Sequence, residues 1–462
     1  MTSAAPRATF RDPAGSLSFE DGQVIRRIDF AARAAVLDLL ESPFCTAMQQ
    51  TGDLIAAEID DSSGVLCLRH PKIAVPTYPW EWTPSQWLAA AELTLDLCEQ
   101  ALAGGWMLKD ATPLNVLFVG SRPIFVDILS FERRDKHSSI WLAYGQYIRT
   151  FLLPLLMQRM LSWPLALSLF RRDGYEPAEC YAALGWTRRL GRDAFWPITL
   201  PALLDRRKAD AVTAKKRPAR VADPQITASV LRRTLNDLRE RTRRALAGSA
   251  AAESEWSRYQ GTLTHYTAEE SREKLDWVRD ALRDVRPARV LDIGANTGEV
   301  SALAATMGAD VVALERDMAS ADRIFRMARD RKLPIDMIHA DLARPTPAAG
   351  WENVESMTLL DRLEGQFDLV MMLAVIHHLV LMEQIPLRAI VELCERLTLR
   401  YLIVEWIPVS DPMFQSLMRG RDALYGALRE DDLLAACDGR FEVMRRLVLG
   451  NGRVLFLLEK IG

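Results

Sequence analysis

From residue 289 onward, apolar positions fall into short runs, each closed by a single acid or a glycine turn and separated by helical spacing. Residues 290–293 read as a buried strand, 294–298 as a tight turn, and Val300, Leu303 and Ala304 open a helix. The pattern then repeats. Residues 310–315, 337–341 and 367–374 predict three further strands, and 401–405 a fifth. Helices are predicted over 269–283, 391–397 and 430–437. Two last runs, 441–449 and 453–459, face each other across Gly450-Asn451-Gly452, a hairpin signal. Strands alternating with helices predict an α/β parallel sheet, which the final hairpin ends on an antiparallel strand.

The first half has another rhythm. Residues 1–15 predict no element. A strand is predicted over 24–28, a helix to about residue 51, and strands near 54–58 and 65–69. An aromatic, proline-containing connector (76–82) leads to a helix carrying Leu88, Leu93, Leu95 and Leu102. A pair of short runs, 116–120 and 123–127, follows, and 141–204 is rich in helix-forming residues. Residues 206–220 are basic and poor in apolar positions, which predicts an exposed linker. A charged helix is expected over 226–246, with Arg232, Arg233, Arg239, Arg241, Arg243 and Arg244 on a solvated face. No aromatic residues interleave with these arginines, as stacking on RNA would require. The expected layout is therefore 1–204, a basic linker and helix at 205–254, and 255–462.

Length and composition change little. A chain of 462 residues suits two or three domains, and 49% apolar with 26% charged residues is ordinary for a globular protein. A net charge of −3 gives no overall attraction to nucleic acid or membrane. Six scattered cysteines with no C-x-x-C pair predict free thiols in a reducing compartment and no zinc site. Residues 1–15 lack the apolar run of a signal peptide. The most apolar stretch, 150–170, is interrupted by Pro154, Gln158, Arg159 and Pro164, so core helices are expected rather than a membrane span. A cytoplasmic protein is the resulting expectation.

Candidate chemistry gathers at the strand ends. A strand, a glycine turn and a helix N-terminus bring backbone N–H groups to one spot, and Asp292 sits at the strand tip. The dinucleotide fingerprint needs glycines where this chain has Asn296 and Glu299. Glu315 closes the second strand, Asp341 the third, and His377 with His378 follows the fourth. All four features in this order, from about residue 256 to the end, resemble the class I, Rossmann-like, S-adenosylmethionine-dependent methyltransferases.

That resemblance implies a seven-stranded sheet and a set of roles. Asp292, Gly294, Ala295, Asn296 and Gly298 would hold the methionine end of S-adenosylmethionine, Glu315 the ribose, and Asp341 with Leu342 the adenine. Tyr259 and Tyr266 are candidates for a segment that closes over the cofactor. His377, preferred over His378, would be the base, and Glu405 would contact the acceptor. A small-molecule acceptor methylated on oxygen or nitrogen is the leading expectation, with RNA or protein as the alternative.

In the first half, Asp110, then Asn115 five positions on, then Asp127 after a hairpin gives an order of its own. With the upstream strand–helix–strand–strand–connector–helix series, it resembles a divergent α+β protein-kinase-like or aminoglycoside-phosphotransferase-like domain. The resemblance puts Asp110 at the catalytic-base position, Asn115 and Asp127 at metal-binding positions, and Arg26 or Arg27 at the strand lysine. The chain departs from that pattern at Leu108-Lys109 and lacks a glycine-rich loop before the first strand. A scaffold is therefore expected in preference to a working Mg-ATP site. The fused layout is similar to that of bacterial nodulation-type methyltransferases.

Overall fold

A computed structural model of the chain describes residues 12–20, 22–61, 64–208, 223–247 and 266–461. Two compact units are present, one comprising Met1–Ala250 with Ala349–Ser356 and the other Ala251–Ala348 with Met357–Gly462. Tyr259 lies outside the described residues, as does most of the predicted basic linker.

The first unit starts with an antiparallel sheet of β1 (Gly15–Glu20), β2 (Gln23–Ile28), β3 (Glu58–Asp60) and β4 (Cys67–His70), in the order β1-β2-β4-β3. The single helix expected up to residue 51 is two, Arg33–Leu40 and Pro43–Thr51. Ser42 caps the second, with Pro43 in its first turn. Helix Pro84–Ala103 starts the same way, with Thr83 and Gln86 forming a capping box ahead of a buried face that includes Trp87, Leu95 and Leu102. Two short pairs follow: β5 (Trp106–Leu108) with β8 (Phe131–Arg133), and β6 (Val116–Val119) with β7 (Arg122–Phe125).

Helix Pro224–Ala247 corrects the expectation of a solvated, linker-borne helix. Leu231, Leu235, Leu238 and Ala245 recur at helical spacing and are buried, and the helix packs on Pro84–Ala103 of the first unit. Its arginines answer acids. Arg239 pairs with Asp96 at 2.7 Å and Glu99 at 3.0 Å, Arg243 with Glu92 at 2.6 Å, Arg241 with Asp237 at 2.6 Å and Arg244 with Asp193 at 3.4 Å. The unit boundary thus falls after Ala250, not near residue 204. An apolar stripe diluted by six arginines reads as a polar helix unless the partner's acids are known.

The second unit is a seven-stranded sheet of β9 (Arg289–Ile293), β10 (Asp310–Glu315), β11 (Ile335–His339), β12 (Phe367–Met372), β13 (Thr398–Trp406), β14 (Phe441–Val448) and β15 (Val454–Lys460). Their order is β11-β10-β9-β12-β13-β15-β14; the first five run parallel, and β15 inserts antiparallel beside β13. Val290, Leu291, Val370 and Leu402 are fully buried, as parallel strands covered on both faces require. The reversal of strand order between β9 and β12 leaves a crevice beyond their carboxyl ends. No helix among the described residues is long and apolar enough to cross a membrane.

Leu235→Ala should destabilise the first unit by about 2–5 kcal/mol, the usual cost of emptying a buried leucine site. Urea unfolding checks it, and an unchanged midpoint would show that the helix carries no core.

Candidate functional site

The turn after β9 is shaped by what lies against it. Gly294 has φ +70°, and a Cβ there would come 2.5 Å from Val375 Cγ2. Gly298 has φ +81°, and its Cβ would meet Ile324 Cγ1 at 2.9 Å. Both positions therefore need glycine for conformation and for space. Asn296 between them is also left-handed, at φ +48°, which asparagine tolerates better than most residues. Ala374, across the crevice after β12, adopts φ +55°, a conformation that costs an alanine free energy.

Around these turns lies a cavity of about 830 Å³. Asp292, Gly294, Ala295, Asn296, Glu315, Asp341, Leu342, His377, His378 and Tyr266 all line it. Gly298 is not among the lining residues, although its neighbours Thr297 and Glu299 are. The structure thus brings the strand-end acids, the glycine turn and the histidine pair to one place.

The acids differ in how they are held. Asp292 is buried, and its Oδ2 accepts from Ser301 Oγ at 2.5 Å. Burial, together with the charge of Glu315, pushes its carboxyl up to about 6. Glu315 accepts the Asn296 N–H through Oε2 and the Asp317 N–H through Oε1, both at 2.7 Å, and burial raises its carboxyl as well. Asp341 accepts the Ala343 N–H at 2.9 Å and pairs with Arg344 at 3.0 Å. Asp317 caps helix Met318–Arg331 by accepting from the Ser320 N–H. Asn296 Oδ1 and Ser320 Oγ are buried at the cavity without a hydrogen-bond partner among the described residues.

His377 and His378 begin helix Ile376–Leu381, their ring centroids 4.1 Å apart. Burial, with Arg316 and Arg453 nearby, lowers the His378 imidazole to about 4. It stays neutral throughout the ordinary pH range.

Glu405 departs from its expected role. It is fully buried at the end of β13 and does not line the cavity. Tyr266 Oη donates to Oε1, and Lys274 Nζ donates to Oε2 at 2.7 Å and to Tyr266 Oη at 3.1 Å. Arg453 Nη1 approaches Oε1 at 3.7 Å. A carboxylate without solvent needs these donors, so Glu405 braces the wall rather than meeting an acceptor. Tyr266 does reach the cavity, with Lys274 Nζ 4.8 Å and Arg453 Cζ 4.6 Å from its ring centroid. Sequence reasoning gave Lys274 and Arg453 no role. Neither sits in a motif, and only the sheet brings them to Glu405.

The first unit's candidates also come together, but closed on themselves. Arg26, buried on β2, pairs with Asp127 Oδ1 at 2.8 Å, whereas Arg27 faces outward to Glu20. Ser130 Oγ donates to Asp127 Oδ2, and Asn115 Nδ2 donates to Ser130 Oγ at 3.1 Å. Gln146 donates to Asp110, whose carboxyl is raised by burial and by the charge of Asp127. Among the described residues no group of three or more His, Cys, Asp or Glu could hold a metal ion.

No family model matches the chain. A curated relative does, at 26% identity over 479 aligned positions, covering 100% of this chain and 98% of the relative: nodulation protein NoeA of Rhizobium meliloti (strain 1021). End to end, the chain resembles a nodulation protein. The NoeA alignment leaves out neither unit. Among solved structures, magnesium protoporphyrin IX methyltransferase (ChlM) from Synechocystis PCC 6803, with bound SAH, is 18% identical and covers 42% of this chain and 84% of its own, with a TM-score of 0.31. N-methyltransferase NodS from Bradyrhizobium japonicum WM9 is 14% identical over 42% of this chain and 98% of its own, with a TM-score of 0.33. The bifunctional kinase-methyltransferase WbdD is 16% identical over 44% of this chain and 41% of its own, with a TM-score of 0.32.

Because its carboxyl is raised when folded, Asp292 stabilises the fold below about pH 4 and loses that contribution as pH rises through about 6. His378, lowered when folded, works the other way and costs stability as pH falls from about 6.5 through 4. Asp292→Asn should therefore gain stability over wild type above pH 6 and lose that advantage below pH 4. Chemical denaturation at four or five pH values reads the difference, and a constant difference would contradict the burial argument.

Proposed function

We propose that the second unit is an S-adenosylmethionine-dependent methyltransferase that transfers the methyl group to an oxygen or nitrogen of a small-molecule acceptor. One observation carries the reading: Asp292, Glu315 and Asp341 converge with the Gly294 turn on one cavity, and the burial of Asp292 and Glu315 asks for a cation. The volume suits a cofactor together with a small acceptor. The cofactor supplies a methyl group on a positively charged sulfur, already poised to leave.

The residues present fit such a group. Asp292 would face its ammonium, whose charge offsets the cost of ionising a buried carboxyl. Asn296 Oδ1, a buried acceptor with no partner among the described residues, would take another donor. Glu315, held by two backbone N–H groups, is set to accept from both ribose hydroxyls. Asp341 and the Leu342 N–H would meet the adenine edge. The protein's remaining task is to hold a nucleophile in line and exclude water. His377 is the base we favour at the lip. The neighbouring His378, lowered to about 4, is a weak proton acceptor.

The first unit serves in this proposal as a scaffold or substrate-recruiting module. The Arg26 guanidinium lies where a cation would neutralise Asp127, and Asp110 is bonded to Gln146. Asp127 is thus already paired with a cation of the chain.

Calorimetry with S-adenosylhomocysteine tests the cofactor placement. Glu315→Ala should weaken binding roughly ten- to a hundred-fold, the value of about 1.5–3 kcal/mol for a charged hydrogen-bond acceptor. Equal affinity would remove the ribose assignment, and no binding to wild type would remove the reading.

For the first unit, the thermal midpoint should not move with Mg-ATP, either in wild type or in Asp127→Ala. A shift in wild type that Asp127→Ala abolishes would restore a nucleotide site.

A further inference from the structure

Arg453 lies just before β15 and is 2% exposed, yet it lines the cavity. Its Nε donates to Asp411 Oδ2 at 2.9 Å, and the guanidinium lies over the Tyr266 ring. Asp411 is itself fixed, since it caps helix Pro412–Met418 and accepts from the Met413 N–H at 2.8 Å. The remaining neighbour, Glu405, comes no nearer than 3.7 Å and is already bonded to Tyr266 and Lys274.

A guanidinium has five N–H groups, one of them on Nε. Among the described residues, none of the other four makes a hydrogen bond within the chain. The planar fork these donors form at the cavity matches a carboxylate in bidentate geometry. Charge selects further. Glu405 and Asp411 flank the site, so a monoanion is admitted more readily than a phosphate dianion. Arg453 lines the cavity together with Met413 and the pair His377 and His378.

We propose that Arg453 is a binding residue for a carboxylate carried by the methyl acceptor, so that the acceptor is a small carboxylic acid. The assignment rests on the methyltransferase reading for its location beside the cofactor.

The test uses the full chain, first saturated with S-adenosylhomocysteine, and compares benzoate with benzamide by saturation-transfer NMR. Wild type should bind benzoate and not benzamide, and Arg453→Gln should weaken benzoate at least ten-fold while leaving the affinity for S-adenosylhomocysteine unchanged. Equal benzoate binding in the two proteins, or none in wild type, would overturn the assignment. So would a loss of S-adenosylhomocysteine affinity in Arg453→Gln with that for 5′-methylthioadenosine intact, because Arg453 would then hold the cofactor's own carboxylate. Should Arg453→Gln fail to fold, Arg453→Lys keeps the charge, loses the fork and takes its place in the same comparison. If wild type binds no S-adenosylhomocysteine, the methyltransferase reading fails separately, and benzoate binding to the unloaded chain still decides the role of Arg453.

Discussion

Burying two carboxylates at the tips of adjacent parallel strands, β9 and β10, sets the terms for the second unit. Asp292 and Glu315 repel each other, and burial withdraws water from Asp292 and in part from Glu315. The fold answers only in part. Ser301 bonds to Asp292, and two backbone N–H groups bond to Glu315, but no lysine or arginine forms an ion pair with either among the described residues. What is left is a standing demand for positive charge inside a cavity. In the proposed function an adenosyl sulfonium with an ammonium end would meet that demand, whereas a pyrophosphate would aggravate it.

Beside the same cavity the charges meet partners within the chain. Glu405 and Asp411 are matched by Lys274 and Arg453, with Tyr266 bonded between them. These groups come from a helix, the end of β13, the cap of a short helix and the lead-in to β15. The antiparallel insertion of β15 puts Val454 opposite Trp406, which brings Arg453 within reach of Glu405. A sheet ending in a sixth parallel strand would enter from the other end and would not present that arginine there. Topology and electrostatics are coupled at this point.

The first unit handles a similar problem differently. Its acidic pair, Asp110 and Asp127, is quieted from within by Gln146, Ser130 and the Arg26 guanidinium. Arg26 reaches Asp127 because β2 carries it inward, while Arg27, one residue on, points to the outer face. Asp127 thus has an ion pair within the first unit, whereas Asp292 and Glu315 have none among the described residues of the second.

The parallel strands, the glycine turn and the closing hairpin are legible along the chain, because strand period, turn conformation and chain direction are local properties. Gly294 and Asn451-Gly452 declare themselves in a few residues, and the acids ending β9 and β10 follow from counting. Boundaries slipped where a local signal was diluted, as in the arginine-rich helix Pro224–Ala247, whose buried leucines make sense only beside Asp96 and Glu99. Tertiary structure alone decided the work of Glu405, which sequence position marked as an acceptor contact and burial turned into a brace. It also decided the significance of Lys274, 131 residues from its carboxylate partner. Partners in an ion pair need only meet in space, and no spacing along the chain records such a meeting until the sheet has formed.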